Sequence, residues 1–581
     1  MTENSGSSPA ALRSRCRRVA LGLEPPSLAL KGGRVLSVFS GELFAADVVL
    51  CGDVIAGVGR YPESPRGSVV DARGQVIVPG LIDGHVHVES SLLSPARFAE
   101  VVVPHGITTA MIEPHELTNV VGTDGVRFFS AARAGLPVDL RIMLPSSVPA
   151  SPFEQGAVHI GGDEIRGLLT LPGVQGLGEV MDYAAVLRGG DVWGTLEAVA
   201  TRPVDGHAPD LAGRELAAYL LAGPRSDHET ARPDLLLERR RLGMWLLARE
   251  GTAARDFDTV LPFLRRHGME RTALCTDDRH AATLVEEHHI DGLVARLVKA
   301  GIPLRDAVVS ATLAPATLYR LFDRGGVAPG LRGDLLLVED PAEPHPTVVV
   351  SGGRVVVRDG ELTVALPDTP PFPRVPVRIP DLAAADLLPA APPGGRRARA
   401  VRVIPGSIHT EEAIVAVTSS GGRLQADPAA DLAYLALLER HRGSGRVGRG
   451  LVTGLGLRRG ALASTVAHDA HHLIVAGVDP ADMLAAVRAL QASDGGLAVA
   501  HRDDVRVLPL PLAGLMTDRP AREVATVLRE LEEWAAAAGV TLPGPFMALS
   551  FLSLTVIPKL RITVDGLLDV EAGTLVPVMV G

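Results

Sequence analysis

The stretch VIVPGLIDGHVHVE, residues 76–89, decides the fold. It runs an apolar segment into two histidines, His85 and His87, spaced i and i+2. Side chains alternate across a strand, so this spacing turns both imidazoles to one side, where a single metal ion can take both. The chain downstream repeats the design, with short apolar runs that stop at polar clusters. These are GITTAMIEPHE (Glu113, His115), DLRIMLPSS (Ser146, Ser147), VQGLGEVMDY (Glu179), RPVDGHAP (His207), GPRSDHE (Asp227, His228), MWLLARE (Arg249, Glu250) and RTALCTDD (Asp277, Asp278). With the first run they make eight strand-like segments with polar tips.

Stretches of helical character lie between them, as at 94–103, 213–221 and 284–299. Strands alternating with helices predict a parallel sheet, and eight such units predict a closed (β/α)8 barrel whose active site forms at the carboxyl ends of the strands. The expected fold class is α/β, with a TIM-like barrel over residues 81–319. GGRV occurs at 32–35 and again at 352–355, each in a strand-like context followed by a Gly-Asp or Asp-Gly turn. That echo predicts a small β-sandwich built from both flanks, 27–80 and 320–365, preceded by an N-terminal extension, 1–26. Prolines and the basic run GGRRARAVR mark 366–400 as an extended linker. A C-terminal α+β domain, 401–581, carries the His-rich segment STVAHDAHHLIVAG and an amphipathic helix at 519–538.

Composition bounds the function. The 581 residues are 46% hydrophobic and 21% charged, an ordinary globular balance. A net charge of -10 gives no reason to expect nucleic acid as a partner. The three cysteines, Cys16, Cys51 and Cys275, include no CxxC pair, which argues against a disulfide framework and for a reducing cytoplasm. The apolar run at 546–557 is too short to span a bilayer, and the arginine-bearing N-terminus is a poor secretory signal, so no membrane partner is expected.

Singly, each candidate ligand has an ordinary explanation: Glu179 as a surface carboxylate, His207 or His228 as a core histidine, Asp277 as a helix cap. The joint pattern favours chemistry. His85, His87, Glu179, His207, His228 and Asp277 supply six ligands of types that bind divalent transition metals. Six exceed the needs of one tetrahedral ion, and two ions bridged by Glu179 and a hydroxide use them all. Metal coordination brings the pKa of water down to about 7, which supplies a hydrolase's nucleophile.

Longer motifs carry a resemblance. PGLIDGHVHVESS, VPHGITTAMIEPHE, LPSSVPASPFE, LGEVMDY, VDGHAPDLAGRELAAYLLAGPRSDHE, RLGMWLLAREG and CTDDRH, with the distal GALASTVAHDAHHLIVAG, LPLPLAGLMTD and LSFLSLTVIPKLRIT, make the chain resemble the adenine deaminase family of the amidohydrolase superfamily from about residue 27 onward. The resemblance implies that His85, His87 and Asp277 bind the more buried ion, that His207 and His228 bind the second, and that Glu179 bridges them. It implies manganese or iron as the metal, with zinc also compatible. The implied reaction, one of purine salvage, replaces the exocyclic amine of adenine by oxygen, giving hypoxanthine and ammonia. Asp277 would take the proton of the attacking water and pass it to the departing nitrogen. His115 or Glu113 would protonate the ring nitrogen in preference to Glu89. Glu89 faces the same side of the strand as the HxH pair and is a base-recognition candidate, with Ser91 and Asp278 completing the substrate-binding set. Helix-start capping with Ser90 and Ser91 is an equal alternative for Glu89.

Three positions depart from the family pattern: Glu113 opens EPHE where aspartate is usual, His472 stands where asparagine is usual, and Val564 where an acid is usual. His468, Asp469 and His471 would form a further metal site, line the pocket from above or make a structural histidine cluster, with helical spacing setting His468 beside His471 and His472. The competing functional readings are another cyclic amidohydrolase or aminopurine deaminase on the same scaffold, and a noncatalytic barrel. A cytidine-deaminase-type enzyme, suggested by His87-Val88-Glu89, lacks the PCxxC that fold needs. A homodimer is the default assembly for such a barrel.

Overall fold

A computed structural model describes residues 9–61, 67–392, 396–502 and 504–580. The start of the expected N-terminal extension, residues 1–8, and the Pro-Gly-Gly at 393–395 of the expected linker lie outside the described residues.

Eight parallel strands form the barrel: β1 (Leu81–Val86), β2 (Ile107–Ile112), β3 (Asp139–Leu144), β4 (Val174–Val180), β5 (Val204–Gly206), β6 (Ser226–Asp227), β7 (Trp245–Arg249) and β8 (Thr272–Cys275). They pair in sequence order as one run from β1 to β5 and another from β6 to β8. Two contacts join the runs into a ring. Arg225 N donates to Val204 O at 3.1 Å beside β5, and Val86 bridges Asp277 in parallel between β1 and the end of β8. Almost every strand residue is buried, as a parallel sheet covered on both faces requires. Ile82, Met111, Met143, Leu247, Ala273 and Cys275 fill the interior, closed off by Tyr319 and Leu321.

The stretch 76–89 is two strands, not one. Val76–Pro79 belongs to a nine-stranded sheet, pairing antiparallel with Leu335–Val338 and parallel with Leu28–Leu36, and the chain enters the barrel only after Gly80. That sheet takes strands from both sides of the barrel sequence and encloses its own core of Leu30, Val48, Leu50, Ile77, Leu335, Leu337 and Val350. Its two layers are one continuous sheet, tied back on itself where Ile55 N donates to Leu331 O at 2.8 Å. The two GGRV segments play different parts: the first lies within the strand Leu28–Leu36 at a register shift, the second forms the turn between Pro346–Ser351 and Arg354–Arg358.

An eight-stranded sheet spans residues 397–509 and carries the helix Pro480–Ala492. The proline-rich segment before it is extended but not free, since Val377, Ile379, Leu387 and Leu388 are buried in the same core as the sheet. The helix Ala521–Ala537 buries Val524, Leu528 and Leu531 in the large core that also holds the barrel helices. The helical stretch expected at 284–299 is broken, giving Ala281–Glu286 and Ile290–Lys299. No helix of the described residues is long and apolar enough to cross a membrane.

At the tip of β6, Asp227 accepts from Arg239 Nε at 2.6 Å and from Ala208 N at 3.0 Å, with both charged side chains fully buried. This pair locks the helix Pro233–Arg241 against the strand that presents His228. Arg239→Leu leaves Asp227 charged and unpaired, and chemical denaturation should show a loss of about 3–5 kcal/mol. A change within about 1 kcal/mol would show that the pair is not structurally important.

Candidate metal centre

The carboxyl ends of β1, β4, β5, β6 and β8 converge on one buried point. His85 Nε2 and His87 Nε2 lie 3.1 Å apart, as the i, i+2 spacing dictates. Asp277 Oδ1 is 3.6 Å from the first and 3.2 Å from the second. Glu179 Oε1 lies 3.3 Å from His87 Nε2, while its other oxygen meets His207 Nδ1 at 2.7 Å and His228 Nε2 at 3.2 Å. The structure therefore brings together all six expected ligands, with the two oxygens of Glu179 facing two separate groups.

Tautomers decide what this cluster can hold. His85 Nδ1 faces Asp205 Oδ2 at 3.1 Å, and His87 Nδ1 faces the carbonyl of Glu113 at 3.0 Å. Both are acceptors, so each Nδ1 carries the proton and each Nε2 presents a lone pair. Those lone pairs are aimed at each other and at two carboxylates, an arrangement that repels itself unless a cation sits among them. The donor set fits divalent metal.

Supporting groups fix the ligands. Asp205 also accepts from Tyr319 Oη at 2.9 Å and from the Ser226 hydroxyl. Asp277 has a left-handed backbone, φ 58°, held where its N donates to His85 O at 2.9 Å and its O accepts from His87 N at 3.3 Å. Arg249, at the end of β7, donates to Asp277 Oδ2 at 2.8 Å and to Glu229 Oε1 at 2.5 Å. Burial opposes charge on Asp277 and Glu179. Even so, Arg249 beside Asp277, and His207 and His228 beside Glu179, hold both carboxyls well below the usual range.

The second-strand candidates divide. Glu113 lies beneath the centre and accepts from Glu179 N at 2.7 Å. Gly178 makes room for it, since a Cβ there would sit 2.1 Å from the carboxylate. Burial, then the charge of Glu179, pushes the Glu113 carboxyl well up. His115 is buried beside the centre, its ring 4.5 Å from that of His87 and its Nδ1 3.8 Å from Glu179 Oε1.

Glu89 Oε1 accepts from Leu117 N at 3.1 Å, at the start of the helix His115–Val121. Burial and the nearby Glu116 push its carboxyl to about 7. The Ser91 hydroxyl donates to Val88 O at 2.5 Å and closes the local turn, while Ser90 is the serine that reaches Asp278. Burial and then Asp277 raise Asp278 to about 6.

Several site residues escaped the sequence reading. Glu229 stands 3.4 Å from His228 Nε2 and 3.7 Å from His207 Nδ1, and only its place after His228 hinted at it. Glu116 receives His468 Nδ1 at 2.8 Å and also contacts His471, so the C-terminal sheet delivers two histidines to the barrel mouth. Their segment is a turn between Ala461–Ser464 and Leu473–Gly477, not a helix, and the His472 ring lies tilted beside that of His441, centroids 4.9 Å apart. No single-strand periodicity could have revealed a pairing 352 residues apart.

Fold and site together define a barrel hydrolase of the amidohydrolase class, a metal-dependent family whose description matches residues 76–188. Residues 407–574 match the adenine deaminase C-terminal domain. The chain is 41% identical over 94% of its length to the adenine deaminase of Desulfatibacillum aliphaticivorans, covering 96% of that protein. It is 40% identical over 96% of its length to adenine deaminase 2 of Carboxydothermus hydrogenoformans, covering 98% of it. Among solved structures, it is similar to the dihydropyrimidinase of Brevibacillus agri, at 16% identity and TM-score 0.45 over 58% of this chain and 96% of that one. The chain belongs to the adenine deaminase family, and it is an enzyme.

Gly178→Ala should drive Glu113 off the Glu179 backbone and weaken metal retention or turnover by about 10–100-fold, read by elemental analysis and kinetics. Normal metal content with normal turnover would show that Glu113 does not support Glu179.

Proposed function

We propose that this enzyme deaminates adenine hydrolytically, consuming water and releasing hypoxanthine and ammonia. The observation that carries the reading is the pair of Nε2 lone pairs, 3.1 Å apart, set among carboxylates at the mouth of a barrel. The names of the curated relatives supply the substrate. His85, His87 and Asp277 would hold one divalent ion, His207 and His228 a second, with Glu179 shared between them. Bound there, manganese, iron or zinc would acidify water to near neutrality and so supply hydroxide.

The chain's own groups move the protons. Asp277, whose second oxygen is anchored by Arg249, accepts the proton of the attacking water and returns it to the exocyclic nitrogen as ammonia leaves. His115, its ring set against that of His87, is the proton donor to the ring nitrogen beside the reacting carbon. Glu113, tied to a backbone amide below, positions Glu179 instead of touching substrate. Glu89, anchored by Leu117 N, offers its carboxyl to the purine, and at a pKa of about 7 it can accept from or donate to a ring edge. Asp278 is placed for the same face through Ser90.

Ammonia release from adenine, assayed with elemental analysis on the same preparation, tests the reading. Glu179→Gln and His207→Ala should each lower turnover by at least about 10³-fold while the circular dichroism stays that of the folded protein. Near-normal turnover in either variant would refute the ligand assignment. Glu89→Gln should reduce kcat/KM for adenine by roughly 10²-fold with metal content unchanged. Equal loss of metal and turnover would make Glu89 a ligand.

A further inference from the structure

A second histidine cluster lies at the opposite end of the barrel, and neither the deamination chemistry nor the relatives account for it. Asp291, in the first turn of the helix Ile290–Lys299, is fully buried. Two imidazole nitrogens bond to its Oδ2, His345 Nδ1 at 2.8 Å and His105 Nδ1 at 3.2 Å, and a third, His288 Nδ1, lies 3.5 Å from the same oxygen. The other oxygen is engaged by His289 N at 2.7 Å. His288 and His345 stack with ring centroids 4.1 Å apart, and His105 stands edge-on to His288. The facing atoms of His105, His288 and Asp291 all lie within 4.8 Å of one another.

These residues come from three separate places in the fold. His105 ends the turn Val103–His105 that enters β2, so it sits at the amino end of that strand while His115 lies beyond its carboxyl end. The separation along the strand is roughly 20 Å. His288 lies in the connection just before the helix Ile290–Lys299, which carries Asp291, and His345 comes from the loop between Leu335–Val338 and Pro346–Ser351 in the curled sheet.

Neutral imidazoles do not satisfy this arrangement. A carboxylate oxygen has two lone pairs, and three N–H donors exceed them, while an unprotonated Nδ1 would turn its own lone pair on the oxygen. A tetrahedral ion with bonds of about 2.0–2.2 Å separates its ligand atoms by roughly 3.3–3.5 Å, and the three nitrogens lie 2.8–3.5 Å from Asp291 Oδ2. The half-exposed rings of His288 and His345 leave a path for an ion to enter.

We propose that His105, His288, His345 and Asp291 form a site for a divalent transition metal, of the zinc type, with three nitrogens and one oxygen as ligands. It is separate from the reaction centre. Its effect is structural: the ion staples the barrel to the curled sheet at the face away from substrate.

The test uses the full-length protein stripped of metal and reloaded with excess cobalt(II), then freed of unbound ion. The His288→Asn/His345→Asn double variant should retain one equivalent of cobalt fewer per chain than the unaltered protein. It should lose the intense visible absorption of a tetrahedral cobalt site while deaminating adenine at the same rate. The single variant His345→Asn, on a half-exposed loop, should show the same drop in metal and guards against misfolding of the double variant. Equal cobalt content and equal spectra in all three proteins would overturn the proposal and leave a metal-free ion-pair cluster. The outcome does not depend on the deaminase reading, because the count is a difference between proteins that share an intact reaction centre.

Discussion

The closure of the barrel between its first and last strands is the constraint on which the rest of the site depends. Asp277 N bonds to His85 O and His87 N to Asp277 O, so one pair of backbone contacts sets the strand-one histidines beside the strand-eight aspartate. A slip of one residue there would turn the imidazoles to the other face. Asp277 accepts a left-handed backbone, φ 58°, to make both bonds and still aim its carboxylate inward. Aspartate tolerates that region better than most residues, and strain of this kind persists only where surroundings enforce it.

The surroundings do enforce it, by spending buried charge in layers. Asp205 orients His85, Arg249 neutralises Asp277 and Glu229 together, and Glu113 grips the backbone of Glu179. Each is nearly or wholly buried, where an unpaired charge is costly and where a paired one acts through a low dielectric. The same low dielectric raises the carboxyls of Glu89 and Asp278 toward neutrality.

Much of this was legible in the sequence because it is local. The eight apolar runs ending in polar residues give the strand count, and the alternation rule places His85 and His87 on one side. Glu179, His207, His228 and Asp277 each stand at a strand tip, so topology alone brings them together. What was not legible is what depends on distance or on one rotamer. Ser91 and Ser90 are adjacent, and only the turn geometry shows that the second of these reaches Asp278. Glu116 meets His468 and His471 through the packing of the C-terminal sheet on the barrel, which no periodicity encodes. The break at Pro79–Gly80, which assigns one continuous apolar run to two sheets, is set by pairing partners on the far side of the barrel sequence.

The C-terminal sheet is thus part of the reaction chamber's wall. Thr517 exchanges backbone hydrogen bonds with Leu92 and Ser94 at 2.9 Å, just past the HxH pair, and so fastens the distal part to the loop that carries Glu89 and Ser90. The most direct measurement of the central claim is anomalous diffraction at the manganese edge from crystals grown with that ion. Two peaks should appear among the six side chains, one beside His85, His87 and Asp277, the other beside His207 and His228, with Glu179 between them. Density for a single ion, or for none at that point in crystals of active enzyme, would contradict the account.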